Sequence, residues 1–567
     1  MPRRRFLTLA IAILALGAML RVVWLRADPP TTSVGVVWHD EGAWTHNARN
    51  RALWGTWITD NWNPVYIAPV FTALEYAAFR VAGVGQWQAR TVPAASGLIA
   101  IAALMAGLAA AAGRRVALVG GLLLATEFTW VMWNRAALME STMTMFMVVA
   151  WAGYALAQRH ARWGAAAGAA AALAWFTKAA AAFFVAAIVL DALLALVMRG
   201  RSAEQVSARR AAWWTLAGGA LAGGAIVAAF VWPHWREYWF YNVQMSVERK
   251  PSYAWRNLVD RASWIPVTQD IVSRLWPLLA AAALAIGNAF ARLRESRPAE
   301  RLLVWWLLLG LLELTVHDSG NERRYVMLIP PIVALASMGL ASGAAWVSAQ
   351  AVSATVRARL LFAPVALALL YLLCASALRS LLVDKAAEHP YQLDVRLSAV
   401  MALAGVAVLL FRWRPVVSWL ATHGIAWRAA VLLIGSITLW NLGQFTGWAA
   451  HRTDFNYRAS VELGRLLPPG TLVQGKLANG LDLENRIRPI FIGNGFGNYA
   501  DRLDRDDVRY ILTYDLPSLG YESQHEGNLI SEILDRYPQR QPVATFDVEE
   551  TTGPDRAVLI DKHARNK

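Results

Sequence analysis

Two adjacent carboxylates, Asp40 and Glu41, follow the first apolar segment of the chain, and a run with helical spacing continues from Glu41 to Leu53. Backbone N–H groups at the first turn of a helix favour the ionised form of a carboxylate, which suits a general base or a metal ligand. Asp is also a frequent N-cap residue, so Asp40 could simply cap the helix. These residues alone leave both interpretations open.

Charged residues also interrupt the apolar runs further along the chain. Arg135 and Glu140 lie between two such runs, and Lys178 lies within an Ala-rich one. If the runs cross a membrane, ionisable groups so close to the hydrocarbon usually have a function. The structural alternative for the first two is an arginine that snorkels to the membrane surface and a glutamate that stays in water.

Two polar segments combine cations with aromatic rings. One contains Arg249 and Lys250 among several tryptophans and tyrosines, and in the other Arg324 and Tyr325 precede an apolar run that contains Pro330-Pro331. Cationic groups with aromatic neighbours suit a sugar phosphate. A headgroup-level amphipathic helix, or pairing of Arg324 with nearby acids, would give a similar pattern.

The same acids could instead act as ligands of a divalent metal. His39, Asp40, Glu41 and Glu140 would offer hard oxygen ligands and one imidazole. No fixed ligand spacing supports such a site, so the sequence requires no cofactor.

The composition indicates that membrane helices position these residues. Of 567 residues 57% are hydrophobic, and apolar runs long enough to cross a bilayer recur as far as Trp448. The net charge is +15, and the basic residues lie in short clusters between these runs. This distribution is typical of residues that set the topology of a membrane protein and not of nucleic acid binding. Cys374 is the only cysteine, so a disulfide within the chain is excluded.

The basic clusters also predict the orientation in a bacterial-type plasma membrane. With the clusters on the cytoplasmic face, about 13 spans result, provided that the short segment 69–83 lies at the interface and does not cross. The N-terminus is then cytoplasmic and the C-terminus external. Asp40, Glu140, Lys178 and Arg324 share the external face.

The predicted fold is mainly α, with two parts. Residues 1–448 are predicted to form a transmembrane helical bundle in which residues 27–90 make a large first external loop, and residues 449–567 to form a small external α/β domain. The strands predicted in that domain are 471–474, 488–492, 508–513, 542–548 and 557–560, and the helices are 457–467 and 528–537.

An ordered set of motifs resembles the GT-C membrane glycosyltransferases, specifically the group of protein O-mannosyltransferases and of aminoarabinose transferases that modify lipid A. In chain order the motifs are Asp40-Glu41-Gly42, Asn47-Ala48-Arg49-Asn50, Gly55-Thr56-Trp57, Pro69, Gly83-Val84-Gly85, Ala89-Arg90, Arg135 to Glu140, Thr177-Lys178, Arg324-Tyr325 and Pro330-Pro331. Each motif is short, but their order extends over nearly all of the membrane part.

The resemblance implies a polyprenyl phosphate that carries one sugar as the donor, and a glycan, lipid or protein as the acceptor. It implies that Asp40 deprotonates the acceptor hydroxyl and that Glu41 and Glu140 line the cavity. The cations that would bind the donor phosphate are Lys178 and Arg324 with Tyr325, joined by Arg135, Arg249 and Lys250. Attack in line with the leaving phosphate predicts inversion at the anomeric carbon.

The chain departs from both branches of that group. Ile67-Ala68 stand where the lipid A enzymes have Glu-Lys, and only Asn63-Pro64 and Ala68-Pro69 stand where the mannosyltransferases have a His followed by two prolines. The acceptor class therefore stays open. A multi-span transporter or flippase of lipid-linked sugars is the alternative class, although the charges lie in external loops and no inverted halves are visible.

Overall fold

The computed structural model describes residues 1–30, 40–197, 203–248, most of 272–289, 296–316, 322–353, parts of 363–378, 393–412, 425–492, 501–514, 529–550 and 553–563. Helices dominate these residues as far as His451. In chain order they are α1 (Arg3–Val22), α2 (Asp40–Trp54), α3 (Pro69–Ala82), α4 (Gln86–Ala111), α5 (Arg114–Thr126), α6 (Phe128–Trp133), α7 (Met139–Ala157), α8 (Trp163–Thr177), α9 (Ala182–Val197), α10 (Ala203–Ile226), α11 (Trp235–Trp239), α12 (Pro298–Val316), α13 (Ile329–Ser353), α14 (Leu393–Ala407) and α15 (Ile425–His451).

Several helices have the length and composition of membrane spans. Within the described part of the chain, five helical segments are long and apolar enough to cross a bilayer, namely Arg3–Val22, Gln86–Ala111, Ala179–Val197, Glu204–Val231 and Trp427–Leu466. The chain is therefore a multi-pass membrane protein, as predicted. The total of about 13 spans stays a prediction.

The short segment after Pro69 forms a helix too short to cross directly. Helix α3 has 14 residues, which span about 21 Å, less than the hydrocarbon thickness of about 30 Å. Its buried residues are Phe71, Thr72, Glu75 and Phe79, all on one face. This length favours the interfacial interpretation.

Buried polar contacts join the spans to one another. Arg21 near the end of α1 donates to the Asn134 side chain at 2.8 Å and to the Ala125 carbonyl at 3.1 Å. On α9, Asp191 accepts a hydrogen bond from Tyr154 of α7 at 2.8 Å and pairs with Arg301 of α12. Arg21, Asp191 and Arg301 thus have their partners within the bundle, as a low-dielectric interior requires of buried charges.

The last part of the chain is the predicted α/β unit. It contains α16 (Phe455–Leu466), α17 (Lys476–Gly480), α18 (Leu529–Asp535) and the strands β1 (Leu472–Gln474), β2 (Arg488–Ile490), β3 (Tyr510–Tyr514), β4 (Gln541–Glu550) and β5 (Gly553–Asp561). The strand order is β2-β1-β3-β5-β4. β1 pairs in parallel with β2 and β3, and β5 pairs antiparallel with β3 and β4.

All five predicted strands form, and the predicted fold class, mainly α with a small C-terminal sheet, is confirmed. Helix α17 is not among the helices that the sequence predicted. The boundary between residues 448 and 449 stays a prediction, since α15 continues without a break to His451.

Candidate active site

Helix α2 carries the two carboxylates at its first turn. It begins at Asp40, whose side chain is half-buried, and it continues for 15 residues as the periodicity predicted. Most of the following residues are buried, so other elements cover α2 on more than one face. The position of Asp40 is therefore set by the contacts of the rest of this helix.

Glu41 is tied to the membrane bundle. Nε and Nη2 of Arg90 on α4 donate to its two carboxylate oxygens at 2.8 and 2.6 Å, and the backbone N–H of Ala137 donates to Oε1 at 2.7 Å. Arg90 also donates to the carbonyls of Leu25 and Ala27 at 2.9 and 2.8 Å. Glu41 is 2% exposed, so its charge is neutralised by a two-pronged ion pair away from solvent.

Glu140 and Lys178 form a second buried ion pair. Glu140 lies in the first turn of α7 and is 1% exposed, whereas Lys178 follows the last residue of α8 and its side chain is 14% exposed. Lys178 Nζ donates to Glu140 Oε1. The turn that precedes Glu140 also contains Ala137, whose backbone N–H donates to Glu41 of α2. Glu41 is therefore linked to Lys178 through this turn and Glu140.

Arg135 contacts backbone carbonyls. Its guanidinium donates to the carbonyls of Leu20, Arg21 and Trp24 at 2.9, 3.0 and 2.7 Å, and it lies 4.7 Å from the ring centroid of Trp448. These carbonyls belong to the end of α1, where helical partners are missing. In this arrangement Arg135 stabilises the exit of α1, and its predicted contact with a donor phosphate stays a prediction.

The remaining predicted site residues are described only in part. Tyr325 is buried in a 3-10 turn, Glu322–Leu328, which lies against α7. For Arg324 the backbone in that turn is described and the side chain is not. His39, Arg249 and Lys250 lie outside the described residues.

Glu75 on α3 is a further acid that the sequence did not single out. It is fully buried, and neither of its carboxylate oxygens has a hydrogen-bond partner among the described residues. Burial, and secondly the charge of Glu41, raise the pKa of Glu75 well above its ordinary value of 4.5.

The α/β unit contacts α2 on a second face. His46 Nδ1 lies 3.4 Å from Asn479 Nδ2, and Arg49 donates to the carbonyls of Asp482, Asn485 and Ile487 at 3.2, 3.1 and 3.0 Å. Burial and the neighbouring Arg49 charge lower the pKa of His46 to about 3, so its imidazole is neutral at physiological pH.

The same unit also contacts the first loop and the start of α4. Phe491 stacks on Trp62 with 4.9 Å between ring centroids, and its backbone N–H donates to Asp60 at 2.9 Å. Glu484 accepts from the N–H of Gln86, the first residue of α4, at 2.8 Å. The α/β unit and the first loop are therefore one packed assembly around α2.

An apolar cavity of about 450 Å³ lies between α8, α9 and α10. Small residues on these helices leave the space free. Trp175 and Phe176 line the cavity, and in the chain they are followed by Thr177 and Lys178. Trp235 and Tyr238 of α11 line it as well. The cavity therefore has hydrocarbon-like walls and a cation next to residues that line it.

A metal site does not fit the described acids. No group of three or more His, Cys, Asp or Glu side chains is arranged to hold a metal ion in the part of the chain that the structure describes. Glu41 and Glu140, two of the acids considered as ligands, each pair with a cation. We therefore derive no chemical step that uses a metal.

Comparison with known proteins identifies this architecture. A sequence model of the family described as dolichyl-phosphate-mannose-protein mannosyltransferase matches residues 67–232. The structure of ArnT from Cupriavidus metallidurans bound to undecaprenyl phosphate superposes with a TM-score of 0.50 at 18% identity, over 99% of this chain and 97% of that one. The fold is that of the GT-C glycosyltransferases. The apo state of the same ArnT gives a TM-score of 0.54 at 17% identity, over 98% of this chain and 99% of ArnT.

The resemblance to the GT-C group that the motifs predicted is thus confirmed. No curated protein sequence matches the chain. Two buried acids of this GT-C fold, Glu75 and Asp482, were missed at the sequence level. The available signal was an acid between apolar residues, in Ala73-Leu74-Glu75 and in Leu481-Asp482-Leu483.

Proposed function

We propose that this protein transfers a single sugar from a polyprenyl-phosphate donor to an acceptor hydroxyl on the extracytoplasmic face. The observation that carries the proposal is the contact chain from α2, which begins at Asp40, through Glu41 and Ala137 to the Glu140–Lys178 pair. This chain links a half-buried carboxylate with a partly buried cation inside a fold like that of ArnT. A base and a cation are the two groups that displacement of a phosphate from a sugar requires.

Asp40 is the proposed general base. Attack by a hydroxyl oxygen on the anomeric carbon requires removal of its proton, and a carboxylate within hydrogen-bond reach can accept it. Glu41 and Glu140 are less suited, because each is paired with a cation and nearly fully buried. The first turn of α2 also provides N–H groups that favour an ionised Asp40.

Lys178 is the proposed contact for the donor phosphate. As the sugar–phosphate bond breaks, negative charge develops on the leaving phosphate, and an ammonium group stabilises this charge. Glu140 holds Lys178 in the absence of donor and keeps its charge compensated in the membrane. Arg324 and Tyr325 in the 3-10 turn against α7 are proposed to complete the phosphate site.

The apolar cavity supports a lipid-linked donor. Its walls from α8, α9 and α10 suit an isoprenoid chain, and Trp175 and Phe176 bring that chain close to Lys178. ArnT from Cupriavidus metallidurans has been crystallised with undecaprenyl phosphate. For this chain we infer that the prenyl tail occupies the cavity while the phosphate meets Lys178.

The test uses the purified full-length protein in lipid nanodiscs. The protein is incubated with a panel of undecaprenyl-phosphate-linked single sugars and a cell-envelope extract as acceptor, and mass spectrometry follows released undecaprenyl phosphate and glycosylated products. We expect Asp40→Asn to lower turnover by a factor of about 10² or more with normal folding. Inversion is checked by the anomeric configuration of the product.

Asp507→Asn is the matched control. Asp507 lies in the α/β unit, pairs with Arg505 at 2.8 Å and has a side chain that is 56% exposed. This variant should retain the wild-type rate. Full activity of Asp40→Asn would contradict the assignment of the base. In proteoliposomes, which have an enclosed compartment, movement of the lipid-linked sugar across the bilayer without formation of a glycosidic bond would support the transporter class instead.

A further inference from the structure

We propose that Asp482 of the α/β unit is a positioning residue for the reaction, which holds the first turn of α2 and thereby the orientation of Asp40. The catalytic part of this inference rests on the proposed function. The structural part, that Asp482 fixes α2, stands on the contacts between the two elements. Since Asp482 is fully buried, it acts through α2 and not on the substrate.

The contact begins one residue after the carboxylate pair. A Cβ atom on Gly42 would overlap the carbonyl oxygen of Asn479 and would lie 2.6 Å from Oδ1 of Asp482. The backbone of α2 at its first turn therefore packs directly on the segment that contains Asp482. A glycine at position 42 is what permits this approach.

Further contacts continue along one face of α2. Gly42, His46 and Arg49 are spaced by four and three residues, so they lie on the same side of the helix. His46 bonds to Asn50 at 3.0 Å on its Nε2 side and meets Asn479 on its Nδ1 side. The contact with the α/β unit thus covers the first two turns and more of α2.

Arg49 anchors this face to the segment around Asp482. Besides its bonds to three backbone carbonyls, its Nε lies 3.6 Å from Oδ2 of Asp482. Both residues are fully buried. A buried guanidinium with one nearby carboxylate fixes the relative position of the two elements, because separation would leave each charge uncompensated.

The other side of α2 is fixed by Glu41, through Arg90 and Ala137. The helix is therefore held between the membrane bundle and the α/β unit. Asp40 directly precedes Glu41 and Gly42, which lie at the contacts on these two sides. A small rotation of α2 about the Glu41–Arg90 pair would move Asp40, and Asp482 is placed to prevent it.

Asp482 is poorly explained as a purely structural residue. Neither of its oxygens has a hydrogen-bond partner among the described residues, although its ion-pair partner Arg49 is close. A buried carboxylate without hydrogen bonds costs free energy, which the nearby charge of Arg49 offsets in part. A positioning role explains why this buried carboxylate lies next to the first turn of α2.

The test compares two Asp→Asn variants of the full-length protein in nanodiscs. Asp482→Asn removes the charge beside α2, whereas Asp561→Asn, at the end of β5, removes the partner of Arg509. The readouts are hydrogen exchange of peptides from α2 and from the sheet, and kcat and KM for the active donor of the panel.

We expect Asp482→Asn to increase hydrogen exchange in residues 40–54 and to leave hydrogen exchange in the sheet unchanged. We also expect kcat to fall by about tenfold or more, while KM for the donor changes by no more than about twofold. Asp482→Glu should restore part of kcat. Asp561→Asn should increase exchange in β3–β5 and keep kcat.

If hydrogen exchange of α2 is the same in Asp482→Asn as in the wild type, the inference is overturned, whatever the kcat of the variant. If hydrogen exchange of α2 increases but kcat is unchanged, the catalytic part of the inference is overturned. A loss of kcat in both variants to the same extent would point to domain folding and would also overturn it. If the wild-type protein turns over no donor of the panel, the proposed function fails, while the exchange data still decide whether Asp482 holds α2.

Discussion

At the scale of single residues, the acids near α2 differ in their partners and therefore in their chemistry. Glu41 is bound by Arg90, Glu140 is bound by Lys178, and Glu75 is buried with no hydrogen-bond partner among the described residues. Asp40 is half-buried at the first turn of a helix. Asp40 is the acid of this set that we propose as the general base.

Glu41 is expected to act through structure. Glu41→Gln would remove the charge that compensates Arg90 in a buried site, and breaking a buried ion pair costs about 3–5 kcal/mol. We therefore predict a clearly lower midpoint of thermal unfolding, followed by fluorescence of the protein in nanodiscs. A variant with wild-type stability and no turnover would instead show that Glu41 takes part in the chemistry.

Glu75 should make stability depend on pH. Its pKa in the folded protein lies well above 4.5, so the folded state holds its proton more strongly than the unfolded state does. The resulting contribution to stability is complete below the unfolded pKa and is lost as the pH rises towards the folded pKa. Glu75→Gln, which is neutral at all pH values, should remove this loss.

The check is the unfolding midpoint of both proteins across a pH series. The wild type should be close to Glu75→Gln at a pH below 4.5, and it should fall progressively below Glu75→Gln as the pH rises from there towards the folded pKa. Parallel curves would mean that another group pairs with an ionised Glu75.

At the scale of elements, helices and strands can be predicted from the sequence, because they depend on the local pattern of apolar and polar residues. The helix from Glu41 to Leu53 and all five strands follow from periodicity of 3.6 or 2 residues, and the structure contains them. Among the described residues, five of the apolar segments form helices of membrane-span length. The position of Asp40 at the start of α2 follows from the same pattern.

The contacts between distant segments could not be predicted in this way. Arg49 and Asp482 are 433 residues apart in the chain, and nothing in either local pattern marks them as neighbours. The same holds for Arg135, whose type and position suggested a phosphate ligand and whose observed acceptors are the last carbonyls of α1. A buried cation in a membrane protein can satisfy carbonyls or bind an anion, and only the fold distinguishes these uses.

At the scale of the whole molecule, the α/β unit and the first loop must lie on the same side of the membrane. Arg49 contacts Asp482, Asn485 and Ile487, and Phe491 contacts Trp62 and Asp60. The side on which the C-terminal part lies therefore also fixes the side of Asp40. Sugar transfer from a polyprenyl phosphate outside the cell requires that this side be external.

Orientation can be measured by labelling single cysteines in intact cells, in a background in which Cys374, the only cysteine, is replaced by serine. Arg458→Cys lies on α16, where the native side chain is 69% exposed, and His160→Cys lies in the exposed turn between α7 and α8, next to basic residues. Because positive charge is retained on the cytoplasmic face, we predict that a membrane-impermeant maleimide labels position 458 in intact cells and position 160 only after permeabilisation. The reverse pattern would place Asp40 in the cytoplasm, where nucleotide-linked sugars are available, and would remove the reason for a lipid-linked donor.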